Sequence, residues 1–99
     1  MHATASVDGV VIAETSNYQF VEGNVYFPQD SIKDPDSIFA KTDHTTYCPW
    51  KGTSSYYDIN VNGKTLSNAA WYYPETFEKA AHIKDHVAFY KTKVQIEKE

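Results

Sequence analysis

The sequence predicts a mainly β, antiparallel fold in a single domain spanning residues 1–99, and three observations carry that prediction. Turn signals recur at short intervals. The segment from Thr53 to Val61 alternates, with Tyr57, Ile59 and Val61 on one face and Ser54, Tyr56 and Asp58 on the other. The apolar residues are those that pack on pleated surfaces: eight Tyr, five Phe and two Trp against a single leucine, Leu66. A chain of 99 residues supports one core and one shallow pocket.

In chain order, Asp8-Gly9 between apolar runs favours a type I′ hairpin, with Val10–Ala13 as its second strand. Tyr18–Glu22 and Val25–Phe27 flank Gly23-Asn24 as a second hairpin, closed by Pro28. Pro28–Ile32 reads as one helical turn, and residues 42–52 as a loop. Asn62-Gly63 is the strongest hairpin signal, with Lys64–Leu66 returning and a separate strand over Ala69–Tyr73. Pro74–Asp85 carries Phe77, Ala81 and Ile83 at roughly helical spacing and predicts one short helix. Val87–Tyr90 and Val94–Ile96 read as a closing pair of strands.

Charge limits the function classes. The formal net charge is −4 and none of the nine basic residues is arginine, the usual bidentate reader of phosphate and guanine. Nucleic acid is therefore not an expected partner, since such binding rests on neutralising a polyanion. No apolar run approaches the roughly 18 residues of a membrane span, and Met1–Ser6 lacks the pattern of a secretory signal. The lone Cys48 fits a reducing, cytoplasmic setting. A monomer or weak homodimer is expected.

Chemistry-bearing residues fall into three groups. Cys48 and Lys51 share one loop with His44 upstream; a neighbouring cation would activate the thiol, with Asp43 or Glu22 as a third member, whereas most free cysteines are small buried hydrophobes. Glu78, His82 and His86 recur at intervals of four, which on one helix would make a metal face. That helix is expected to end near Asp85, leaving a solvated face, so no metal or other cofactor is expected, and His2 and His44 receive no role. The third group is aromatic: Tyr26, Trp50, Tyr56, Trp71 and Tyr73. Period-two alternation places Tyr56 opposite Tyr57, and Trp71 and Tyr73 opposite Tyr72, so one strand face serves the core while the other supplies a second aromatic surface. Lys51 is its natural polar member, paired with Glu22 or binding an anionic or carbonyl ligand.

Three segments together carry a family resemblance: Gly9–Glu14 with Val21–Pro28, then Thr45–Tyr57 containing Cys48-Pro49-Trp50-Lys51-Gly52, then Ala69–Pro74 with Ile83–Tyr90. In this order they closely resemble the domain-of-unknown-function family 427, which also carries a nucleotidyltransferase-like label, over residues of about 7–94. The resemblance implies a β-tent-like fold, two antiparallel sheets meeting at an angle with a pocket between them. The zinc knuckles of many β-tent proteins need two Cys-x-x-Cys pairs and cannot be carried onto a chain with one cysteine.

Nucleotidyl transfer requires a Gly-Ser turn followed about ten residues later by two carboxylates that hold Mg²⁺. Gly52-Thr53-Ser54 stands too close to Asp58, whose partner position is the amide Asn60, and Asp34-Pro35-Asp36 has no such turn before it. The leading expectation is therefore a small-molecule-binding domain whose aromatic pocket between two sheets is built from Glu22, Tyr26, Trp50, Lys51, Tyr56, Trp71 and Tyr73. The alternatives are an enzyme using Cys48 or Lys51 in covalent chemistry, and a peptide-interaction module.

Overall fold

The computed structural model describes all of residues 1–99, and its architecture is mainly β and antiparallel, as the sequence predicts. Nine strands form three hydrogen-bonded groups. Strands β1 (Ala3–Val7) and β2 (Val10–Thr15) join β9 (Gln95–Lys98) in a three-stranded sheet with β1 in the centre. Strands β3 (Gln19–Val21) and β4 (Asn24–Tyr26) form a hairpin. Strands β5 (Phe39–Cys48), β6 (Gly52–Val61), β7 (Lys64–Tyr72) and β8 (Val87–Phe89) form a four-stranded sheet in that order. Reciprocal backbone bonds of 2.8 Å between Phe27 and Val87 tie the β3–β4 hairpin to β8. No helix is long and apolar enough to cross a membrane.

The turns follow the local chemistry. Asp8-Gly9 (φ 49° and 81°) and Asn62-Gly63 (φ 53° and 75°) place both central residues at positive φ, the type I′ requirement. The second hairpin turns one residue earlier than expected, on Glu22-Gly23 at φ 54° and 81°, with Asn24 already paired to Val21. A glutamate at positive φ carries a steric cost of about 1 kcal/mol that Asn or Gly would avoid.

Other expectations are corrected. Residues 42–48 are strand rather than loop, because β5 is a sheet edge with only β6 beside it. Its Asp43–Tyr47 side chains are all exposed, so no inside–outside alternation marks it. Lys64–Tyr72 is one strand and not two; a bulge interrupts it, with Asn68 at φ 49° and its N–H donating to Asp58 Oδ1 at 2.8 Å. Strands β8 and β9 do not pair with each other; β8 joins β7 and β9 joins β1. The helix expected over 74–85 is a 3-10 helix, Glu78–Ile83, whose buried Ala80 and Ile83 stand three residues apart, the 3-10 period. Two further short segments accompany it, a 3-10 turn at Gln29–Ser31 and the single-turn α1 (Pro35–Ile38).

Burial divides along the alternation of β6, β7 and β8. The larger cluster takes Ala3, Ala5 and Ile12 from the first sheet and Ile59, Ala70 and Phe89 from the four-stranded sheet, so it fills the space between them. The opposite face of the four-stranded sheet carries a smaller cluster of Tyr26, Tyr73, Ala80, Ile83 and Ala88, covered by the 3-10 helix.

Candidate functional site

The aromatic residues named from sequence meet on that second face. Tyr56 pairs with Trp71 across β6 and β7, and Trp71 with Ala88 across β7 and β8, giving a cross-strand row. Trp71 Nε1 donates to the Tyr26 hydroxyl at 3.2 Å, with the rings edge to face at 87°. Tyr26 and Tyr73 are buried, and burial pushes both phenols above their ordinary pKa. The surface therefore lies on the outer side of the four-stranded sheet, whereas apolar side chains occupy the space between the two sheets.

Lys51 stands at one end of this row. Strand β5 ends at Cys48, Pro49–Lys51 turns the chain, and β6 begins at Gly52. The Phe77 N–H donates to the Lys51 carbonyl at 3.1 Å and fixes the turn. The Lys51 side chain is 9% exposed, and its Nζ donates to Glu22 Oε1, while Trp50 Nε1 donates to Glu22 Oε2 at 3.3 Å. Nζ also lies 5.4 Å from the Trp50 ring and 5.6 Å from the Tyr73 ring. Glu22, on the tip of the β3–β4 hairpin, keeps a side chain that is 52% exposed. A buried ammonium thus has a counter-ion in contact with water.

The two partners are shifted in opposite directions. The bond to Lys51 holds the Glu22 carboxyl below its ordinary value, outweighing a small desolvation effect. Burial pulls the Lys51 ammonium down, but its bond to Glu22 and the nearby phenols outweigh this, so its pKa is raised and it is a cation at neutral pH. With the carboxylate pKa depressed in the folded state, its contribution to stability is present above the unfolded Glu pKa of about 4.3 and is lost as pH falls through the lower folded value. With the ammonium pKa raised, its contribution is complete below about 10.4 and is lost as pH rises through the folded value. Urea midpoints measured across pH are expected to show Glu22→Gln flattening the acid side of the profile relative to wild type.

The other end of the row is built by residues to which sequence analysis gave no role. The His44 ring lies 4.5 Å from the Tyr56 ring, and Tyr90 lies 4.8 Å from Trp71. Thr46 Oγ1 stands 2.9 Å from the Tyr56 hydroxyl and 2.6 Å from Ser54 Oγ. Burial raises the Tyr56 pKa, but hydrogen bonding by Thr46, Tyr90 and Ser54 outweighs it and leaves the phenol below its ordinary value. Tyr90 is pushed up to about 12 by its interaction with Tyr56 and by burial. Period two from Ala88 would have placed Tyr90 on this face. His44 and Thr46 carried no such signal, because they belong to the polar edge strand and its register shift between Lys41 and Thr45.

Cys48 is half-buried against the second cluster, and His44 faces Tyr56 instead of the thiol. Asp43 is exposed and bonds to neither. Glu78 and His82 fall on different sides of the 3-10 helix, since four residues at three per turn are a third of a turn out of phase. His86 lies beyond that helix, with Nδ1 3.0 Å from the Lys84 carbonyl. Of the hollows on the surface, one beside the turn is lined by Trp50 with Pro49, Phe77, Glu78 and Lys79, while Glu22, Tyr26, Lys51, Tyr56, Trp71 and Tyr73 line none, so the expected pocket enclosing all seven residues is not formed.

Sequence comparison adds a family. The model of the domain of unknown function DUF427 matches residues 1–99, including the ends that lie outside the 7–94 region of resemblance. No curated protein matches the sequence.

Proposed function

The chain belongs to the DUF427 family over its whole length, and on that premise we propose that it is a small-molecule-binding domain whose ligand is a planar carboxylate or carbonyl compound held by Lys51. One observation carries this reading: a buried ammonium whose only carboxylate partner, Glu22, sits on an exposed hairpin tip at a strained positive φ. An anionic ligand can displace such a partner into water, where a carboxylate is well solvated. Trp50, not fully buried and with its ring centroid 5.4 Å from Lys51 Nζ, offers flat apolar contact next to the charge.

A lysine held as its ammonium is a poor nucleophile, which favours binding over covalent amine chemistry. An acidic chain without arginine supports a small molecule over a nucleic acid. The lone cysteine, Cys48, supports a cytoplasmic setting.

Tryptophan fluorescence titrated with a panel of aromatic and aliphatic carboxylates tests the proposal. At least one compound is expected to give a saturable change in wild type and none in Lys51→Met. Equal binding by the two proteins would remove Lys51 from the site.

A further inference from the structure

The opposite faces of β4 and β8 hold a second feature. Alternation sends Tyr26 and Ala88 to the aromatic face, and Val25 and Phe89 to the other. On that other side, between the β3–β4 hairpin, the end of β8 and β9, lies a hollow of about 300 Å³. Buried Val25 and Phe89 meet Ile96 and the Phe20 ring around it, and Lys91 and Lys98 complete its lining. Phe20 is 52% exposed and forms one apolar wall of the hollow.

The two lysines are held toward this space and neither is neutralised. Lys98 Nζ lies 4.8 Å from the centroid of the Phe20 ring, a cation–π contact that ties the charge to the wall. Lys91 Nζ donates to the Gly23 carbonyl at 3.0 Å, which occupies one of its three N–H groups. None of the ion pairs in the molecule includes either lysine. Two ammonium groups with no carboxylate at ion-pair distance thus stand beside one apolar hollow in a chain of net charge −4.

We infer that this hollow is a second ligand site, for a small organic anion with an apolar body such as an aryl or branched-chain carboxylate or sulfonate. The apolar part rests on Val25, Phe89 and Ile96 and covers Phe20, and the anionic head lies between Lys91 and Lys98. The volume is at the lower end of small-molecule sites, about 300–1,000 Å³, which restricts the body to roughly one or two rings. Lys51 does not line the hollow, since its side chain lies with the cluster on the other face.

The test uses the full chain and the two-ring aryl sulfonate 5-dimethylaminonaphthalene-1-sulfonate, read by its blue-shifted emission. Saturable binding with one probe per chain is expected, weakening at raised salt because the head group is held by charge. Lys91→Glu/Lys98→Glu is expected to weaken it about tenfold or more, a factor that corresponds to about 1.4 kcal/mol. The control Lys33→Glu/Lys84→Glu, with the same charge change on exposed lysines elsewhere, is expected to bind as wild type does. Undiminished binding by Lys91→Glu/Lys98→Glu, an equal loss in the control, or no saturable binding in wild type would each overturn the inference.

Discussion

Gly52→Ala is expected to destabilise the protein by about 3 kcal/mol and to disorganise the turn that presents Trp50 and Lys51. Gly52 has φ 124°, a conformation that L-residues rarely adopt. A Cβ there would stand 2.9 Å from the Glu75 carbonyl oxygen and 3.6 Å from the Thr76 Cα, and both are backbone atoms that a rotamer change cannot move. The close approach is the one that the Phe77 N–H to Lys51 carbonyl bond secures, so relieving the clash loosens that bond. Gly9→Ala is the matched comparison, because its φ is 81° but nothing lies within 4 Å of the new methyl. That substitution is expected to cost about 1 kcal/mol, from backbone strain alone. Chemical denaturation of both variants, with tryptophan emission as the local reading, separates the two effects. Equal losses would show that the approach to Glu75 contributes nothing.

The ion pair at Glu22 and Lys51 is expected to respond unequally to the loss of either member. Lys51→Met keeps most of the length of the side chain, removes a buried charge and leaves Glu22 half in water, so stability is expected to change by less than about 1 kcal/mol in either direction. Glu22→Gln leaves the ammonium buried with only a neutral acceptor. A pair broken on one side when both members are buried costs about 3–5 kcal/mol; the exposure of Glu22 reduces that to about 1–2 kcal/mol here. Ligand binding is expected to move in opposite directions: lost in Lys51→Met, and several-fold tighter for a carboxylate in Glu22→Gln, where the competing counter-ion is gone. Denaturation curves and fluorescence titrations on the two variants provide both readings. A loss of several kcal/mol in Lys51→Met with carboxylate binding intact would make the lysine a structural element only.

The sequence alone determined what neighbouring residues decide. Asp8-Gly9 and Asn62-Gly63 specify type I′ turns because their positive φ values are local preferences, and Tyr56 and Tyr57 must face opposite ways because a strand alternates. The same alternation set Trp71 and Tyr73 opposite Tyr72, whereas strand register and packing brought them together with Tyr56 and Tyr26; the cysteine-proline-tryptophan-lysine-glycine run pointed to the family. Tertiary structure decided the rest. Strand β5 is joined to its neighbour through backbone groups common to every residue, and its exposed Thr, Asp and His side chains give no pattern to read. Strands β8 and β9 resemble a hairpin in sequence, yet Val87–Phe89 completes the four-stranded sheet and Gln95–Lys98 pairs with β1 near the chain start, because burial of Phe89 and Val94 in one shared core selects those partners. The 3-10 form of Glu78–Ile83 follows from the sheet face it must cover, to which Ala80 and Ile83 are fitted three residues apart. The hollow beside Lys91 and Lys98 is assembled from three segments distant in sequence, and such a juxtaposition exists only once non-local packing has closed the chain.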